Sequence, residues 1–72
     1  MAKIITTLKE IREKNGMTQK KLADLINVRR ETILRLENNR YNPSLEMALK
    51  IAQVFQCQVE DIFMLNESLP ID

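Results

Sequence analysis

Four arginines, Arg29, Arg30, Arg35 and Arg40, crowd one short stretch of the chain, with Glu31 and Asn38 among them. A guanidinium can give two hydrogen bonds to guanine O6 and N7, and a glutamate can accept one from cytosine N4. The same cationic groups can neutralise phosphate oxygens. Such chemistry needs an element that exposes several of these side chains on one face and buries its other face. At about 100° per residue, a helix over 30–38 does this. Ile33 and Leu36 point one way, and Arg30, Glu31, Leu34, Arg35 and Asn38 the other. Arg30 and Glu31, at the start of the helix, and Arg35, one turn on, are the candidates for direct base contact. Glu31 has a competing role as a helix-dipole partner or as a tether for Arg35 at i+4. Leu34 is apolar on a polar face. It can meet a thymine methyl, pack on the following connection, or be one of the lone exposed leucines common on protein surfaces, and the last reading is preferred.

The element before it supplies the mount. Thr18 to Asn38 reads as two short helices joined by a tight turn. Leu22, Leu25 and Ile26 recur at i, i+3, i+4, the spacing of one buried face. Ala23 is small enough to let the second helix cross closely. Asn27 tolerates the left-handed backbone that a reversal needs, and Val28 follows as an apolar plug. This is a helix-turn-helix spacing. Thr18 is a good N-cap and Gln19 the first helical residue, where its amide and backbone N–H can share one phosphate. The second helix has Arg29 at its cap position. That side chain cannot accept from the free N–H groups, a loss of about 1 kcal/mol against Ser or Thr.

Around this motif the chain reads as an all-α bundle of five short helices. Thr7-x-x-Glu10 has capping-box spacing and starts helix 1, whose buried stripe is Leu8 and Ile11 and whose left-handed stop is Gly16, the only glycine. Ile4 and Ile5 then form either a staple on the first turn or a short strand. Asn39 takes the left-handed position after helix 3. Ser44 caps helix 4, with Leu45, Ala48, Leu49, Ala52 and Phe55 as its apolar face. A turn at Gln56 to Gln58 leads to helix 5, Val59 to about Met64, and the tail from Leu65 to Asp72 is loosely held.

Seventy-two residues make one domain with a modest core. A single Cys and no signal-like apolar run point to a reducing cytoplasm. With no His and one Cys, a zinc site or a Cys–His nucleophile is excluded, and Cys57 reads as a small buried residue. No metal or cofactor is expected, and no stretch approaches the roughly 20 apolar residues of a membrane span. The net charge of +1 hides an asymmetry. Through Asn42 ten Lys and Arg face five acids, a balance of +5, and from Pro43 one Lys faces five acids, a balance of −4. A basic half carrying the motif suits binding to one face of a polyanion, with Lys3, Lys9 and Lys14 as solvated charge.

The segments LKEIREKNGMTQKKLA, INVRRETILRLEN, NPSLEMALKIA and VEDIF, in that order, resemble the Cro/C1-type (XRE-like) helix-turn-helix regulators. The resemblance runs from about Leu8 to Phe63. The chain departs from the family in carrying Asn27 and Asn39 where glycine is usual and Arg29 where Ser or Thr is usual. The resemblance implies a bundle of the lambda-repressor-like type, with room for a short terminal pair of strands, and binding to double-stranded DNA as a small regulator, a repressor in the leading reading. It implies phosphate contacts at Gln19, Arg29, Asn38 and Arg40, with Lys20 and Tyr41 adjacent. It also implies a partly buried ion pair between Arg12 and Glu37 that locks helix 1 to the recognition helix.

One short helix reads few base pairs, so a symmetric homodimer on a palindromic operator is expected, with Ile62, Met64 and Leu65 at its interface. The second reading is an antitoxin-type protein that uses Met64, Leu65, Leu69 and Ile71 on a partner protein and regulates itself through the same motif. An enzyme has little support in a chain with no His and no evident pair of acids.

Overall fold

The computed structural model describes residues 4–67. Strand β1 (Ile4–Thr6) leads into α1 (Leu8–Lys14), α2 (Gln19–Ile26), α3 (Arg30–Glu37) and α4 (Leu45–Val54); a 3-10 turn (Val59–Asp61) and strand β2 (Phe63–Leu65) follow. The core is built from Leu8, Leu22, Ile33, Leu36, Ile51 and Ile62, each at most 1% exposed, with Ala23, Ile26, Ala48, Ala52 and Phe63 around them. Each of the large side chains contributes about 1.5–3 kcal/mol by leaving water. Ala23 and Ala48 keep the packed helices close, and α2 packs most extensively on α3.

The helices α1 to α4 end in the same way. Gly16 (φ 65°), Asn27 (φ 60°), Asn39 (φ 58°) and Gln56 (φ 53°) are left-handed. In each case the next residue donates its N–H back five residues: Met17 to Arg12, Val28 to Ala23, Arg40 to Arg35 and Cys57 to Ala52, at 2.9–3.0 Å. These are Schellman closures. Gly and Asn signal such positions in a sequence, whereas Gln does not, so the sequence marks Gln56 only as part of a turn. The N-termini of α2 and α4 are capped by Thr18, which accepts from the Lys21 N–H at 3.0 Å, and by Ser44, which accepts from the Met47 N–H at 3.1 Å.

The expected fifth helix is replaced by a single 3-10 turn followed by a strand, so the described residues form four α-helices and a two-stranded antiparallel ribbon. Ile4 pairs with Leu65, Ile5 with Met64 and Thr6 with Phe63. Backbone pairing with β1 takes the N–H and C=O groups that a helix through Met64 would have used on itself. Leu65, expected to open a loose tail, is therefore held in the ribbon. Lys3, Leu69 and Ile71 lie outside the described residues.

The ribbon also undoes the capping box at α1. Thr7 makes no side-chain cap. Its hydroxyl donates instead to the Asp61 carbonyl at 3.0 Å, while Thr6 Oγ1 accepts from the Leu8 N–H at 3.0 Å. Ile62, expected at a dimer surface, is fully buried, because the residue before β2 turns into the bundle and packs with the core.

Two buried faces are rotated from expectation. On α4 the inward residues are Ala48, Ile51 and Ala52, and Leu45 (74% exposed) and Leu49 (51%) lie on the flank. The expected stripe is displaced by roughly half a face because Ile51, the true anchor, was left out of it. On α2, Leu25 is 50% exposed, at the lip of a shallow cleft with Lys50 and Val54, while Leu22, Ala23 and Ile26 are buried. No helix among the described residues is long and apolar enough to cross a membrane.

Candidate nucleic-acid interface

The turn at Asn27 and Val28 sets α3 across α2. Val28 is half-buried against the core, and Arg29 then takes the N-cap position with φ −79° and ψ 152° and no side-chain cap bond. From there the burial of Ile33 and Leu36 fixes which way α3 faces. Arg30, Glu31, Leu34, Arg35 and Asn38 are all exposed on the opposite side. The helix closes at Asn39, and the chain runs on through Arg40 and Tyr41, both exposed. Lys20, on the outer side of α2, is paired with Asp24 at 2.9 Å. Both of those side chains are largely in water, so the pair contributes little and leaves the ammonium available.

Among the described residues the side chains of Arg29, Arg30, Glu31, Arg35 and Arg40 take part in no ion pair or side-chain hydrogen bond. The tether between Glu31 and Arg35 is thus not formed. A helix that spends its buried residues on the core and leaves a row of unpaired guanidinium groups and one carboxylate outward is arranged to meet an external partner rich in acceptors.

Behind this row sits a buried polar cluster. Arg12 Nε donates to Glu37 Oε2 at 2.6 Å and Arg12 Nη2 to Glu37 Oε1 at 3.1 Å, a fork-on-carboxylate pair with side chains 9% and 2% exposed. Arg12 Nη1 donates to the Met17 carbonyl at 2.8 Å. The hydrogen bond to Glu37 and the nearby carboxylates of Glu37 and Glu13 hold the Arg12 guanidinium above its ordinary pKa, against the opposing effect of burial. The pair ties α1 to the last residue of the recognition helix.

Gln19 joins the same cluster, which spacing alone did not indicate. Its Nε2 donates to Glu37 Oε1 at 3.1 Å. The side chain is therefore turned inward rather than standing free at the helix end. One amide hydrogen is thereby engaged by the carboxylate. Gln19 and Glu37 are 18 residues apart, and nothing in either neighbourhood signals that they meet. The short strand that the sequence allows at Ile4 and Ile5 forms, pairing Ile4 with Leu65 and Ile5 with Met64, and Ile5 (38% exposed), Met64 (37%) and Leu65 (46%) are left exposed on the ribbon.

The geometry agrees with what comparison to known proteins finds. The helix-turn-helix family model matches residues 8–62. An uncharacterised HTH-type transcriptional regulator of Archaeoglobus fulgidus is 55% identical over 62 residues, covering 86% of this chain and 87% of that one. The HTH-type transcriptional regulator YgzD of Bacillus subtilis, also uncharacterised, is 42% identical over 60 residues, covering 83% and 91%. Among solved structures, the restriction-modification controller protein C.AhdI of Aeromonas hydrophila superposes with a TM-score of 0.70 at 30% identity, over 75% of this chain and 82% of that one. With its matched motif, its fold and its outward-facing arginines, the chain belongs to the Cro/C1-type (XRE) helix-turn-helix family of DNA-binding transcriptional regulators.

Proposed function

We propose that this chain is a single DNA-binding domain that acts in the cytoplasm as a sequence-specific repressor, a homodimer on a palindromic operator. The observation that carries the reading is the outward row on α3, unpaired within the chain and fixed in direction by the burial of Ile33 and Leu36. Laid in the major groove, a helix in this position brings its first residues nearest the base edges. Arg30 and Glu31 then read bases directly, with Arg35 one turn on. Arg29, Asn38, Arg40, Lys20 and Tyr41 hold the phosphates on either side, and Gln19 contributes the backbone N–H at the start of α2. Repression follows from occupancy, since a protein seated in the groove excludes others from the same duplex.

The homodimer rests on two supports. Two half-sites about 34 Å apart double an otherwise short footprint. Ile5, Met64 and Leu65 expose apolar surface on one ribbon. A partner protein would use the same surface in the antitoxin-type reading. Sedimentation of the pure chain at micromolar concentration separates the two: a dimer that Met64→Glu dissolves supports the first, and a monomer even on a palindromic site refutes it.

The test of the DNA-binding role is selection of duplexes from a random pool by the wild type and by Arg30→Ala. Loss of Arg30 should cost about 1–3 kcal/mol on the best site and relax the preference at one base pair. Identical preferences in the two selections would remove Arg30 from the readout, and failure to enrich any sequence would sink the assignment as a whole.

A further inference from the structure

On α3 the positions Glu31, Leu34, Arg35 and Asn38 stand at i, i+3, i+4 and i+7, one stripe on the side opposite Ile33 and Leu36. Leu34 is the only apolar member of that stripe. It is 39% exposed, and Tyr41, in the connection after α3, is 42% exposed. Leu25, Leu45 and Leu49 are also exposed, but they lie on α2 and α4 at the margins of buried faces. Leu34 differs in projecting from the middle of a polar row whose other members have no partner within the chain.

The major groove offers one apolar group at its base edges, the C5-methyl of thymine, carried also by 5-methylcytosine. We propose that Leu34 is a base-reading residue that packs on the C5-methyl of a pyrimidine, between base pairs contacted by its polar neighbours Arg30, Glu31 and Arg35. The proposal rests on the DNA-binding reading above and adds to it an apolar element of specificity. A charged or amide side chain at Leu34 would select a donor or acceptor. A branched aliphatic one gains only where a methyl is present and leaves bare polar edges desolvated elsewhere.

The test uses the duplex that the wild-type chain itself enriches from a random pool, resynthesised with thymines replaced one at a time, and then all together, by deoxyuridine. This removes the methyl and leaves every hydrogen-bonding group in place. One thymine per half-site should show a loss of about four-fold in affinity for the wild type, the worth of one buried methyl-sized group. Leu34→Ala should be indifferent to the same replacement, and Leu34→Met, which keeps an apolar tip, should retain most of the sensitivity. With a C·G pair placed at that position, C5 methylation of the cytosine should strengthen wild-type binding by a similar factor, about four-fold. Wild-type affinity unchanged on fully uracil-substituted duplex overturns the proposal, as does an undiminished uracil penalty in Leu34→Ala. Neither result touches the DNA-binding assignment, which fails only if no duplex is enriched.

Discussion

The ion pair of Arg12 and Glu37 allows a quantitative test of what holds the recognition helix in place. Replacing Glu37 with Leu leaves the Arg12 guanidinium, in a side chain 9% exposed, without its carboxylate, and leaves the Gln19 amide without its acceptor. Replacing Arg12 with Met strands a carboxylate in a side chain 2% exposed and frees the Met17 carbonyl. Removal of one partner from a buried pair costs about 3–5 kcal/mol. At about 0.05–0.15 kcal/mol per residue, a chain of this size has only about 4–11 kcal/mol of stability in total. Either single variant should therefore lose about a quarter of it or more.

The double variant Arg12→Met, Glu37→Leu buries no stranded charge. Its remaining deficits are the Met17 carbonyl and the Gln19 amide at about 1 kcal/mol each, offset by new apolar contact. It should lie within about 2 kcal/mol of the wild type. Urea unfolding followed by far-UV circular dichroism, at one fixed chain concentration, measures all four proteins, with unchanged m-values as the check on two-state behaviour. The expected coupling is about 3 kcal/mol or more. Additive single variants, or a Glu37→Leu cost below about 1 kcal/mol, would refute the view that this pair fastens α1 to α3.

Gln56→Gly should stabilise the chain. A left-handed backbone costs an L-residue about 1–2 kcal/mol, part of which glycine returns through its more flexible unfolded state, so a net gain of about 0.5–1 kcal/mol is expected in the same urea assay, and a loss would show that φ 53° at Gln56 is not strained. Arg40→Ala should weaken binding to all duplexes alike and lower the slope of log affinity against log salt by about one; a sequence-dependent effect would move Arg40 from the phosphates to the bases.

The helix boundaries were legible wherever the chain uses a residue suited to its position. Thr18 and Ser44 cap as their hydroxyls allow, and Gly16, Asn27 and Asn39 mark reversals because few other residues tolerate that backbone. Legibility failed where tertiary contact overrode a local preference. Val59 to Met64 carries acids suited to a helix start, yet β1 claims the backbone of 63–65, and only the pairing of Ile4 with Leu65 across the length of the chain decides this. The Thr7 capping box fails for the same reason, since the ribbon brings the Asp61 carbonyl within reach of its hydroxyl. The face of α4 failed differently. Leu45 and Leu49 fit a helical stripe as well as Ile51 does, and periodicity cannot rank equally apolar residues without knowing where α2 lies.

For the interface, charge and wheel position were enough to find the row on α3, because a residue pointing away from Ile33 and Leu36 has nowhere else to go. What the wheel could not show is how the row is held. Glu37 is the last residue of α3, and its carboxylate gathers Arg12 from α1 and Gln19 from the first turn of α2. Three helices thus meet at one buried acid. In the proposed binding mode the N-terminus of α2 and the C-terminal end of α3 are where the phosphates would be held. Tying both to one carboxylate fixes their separation before any duplex arrives. The ordering of these elements is then part of the folding free energy and need not be drawn from the binding free energy. A chain with one glycine and a modest core ties three helices together by this means, at the expense of a buried charge that it must keep paired.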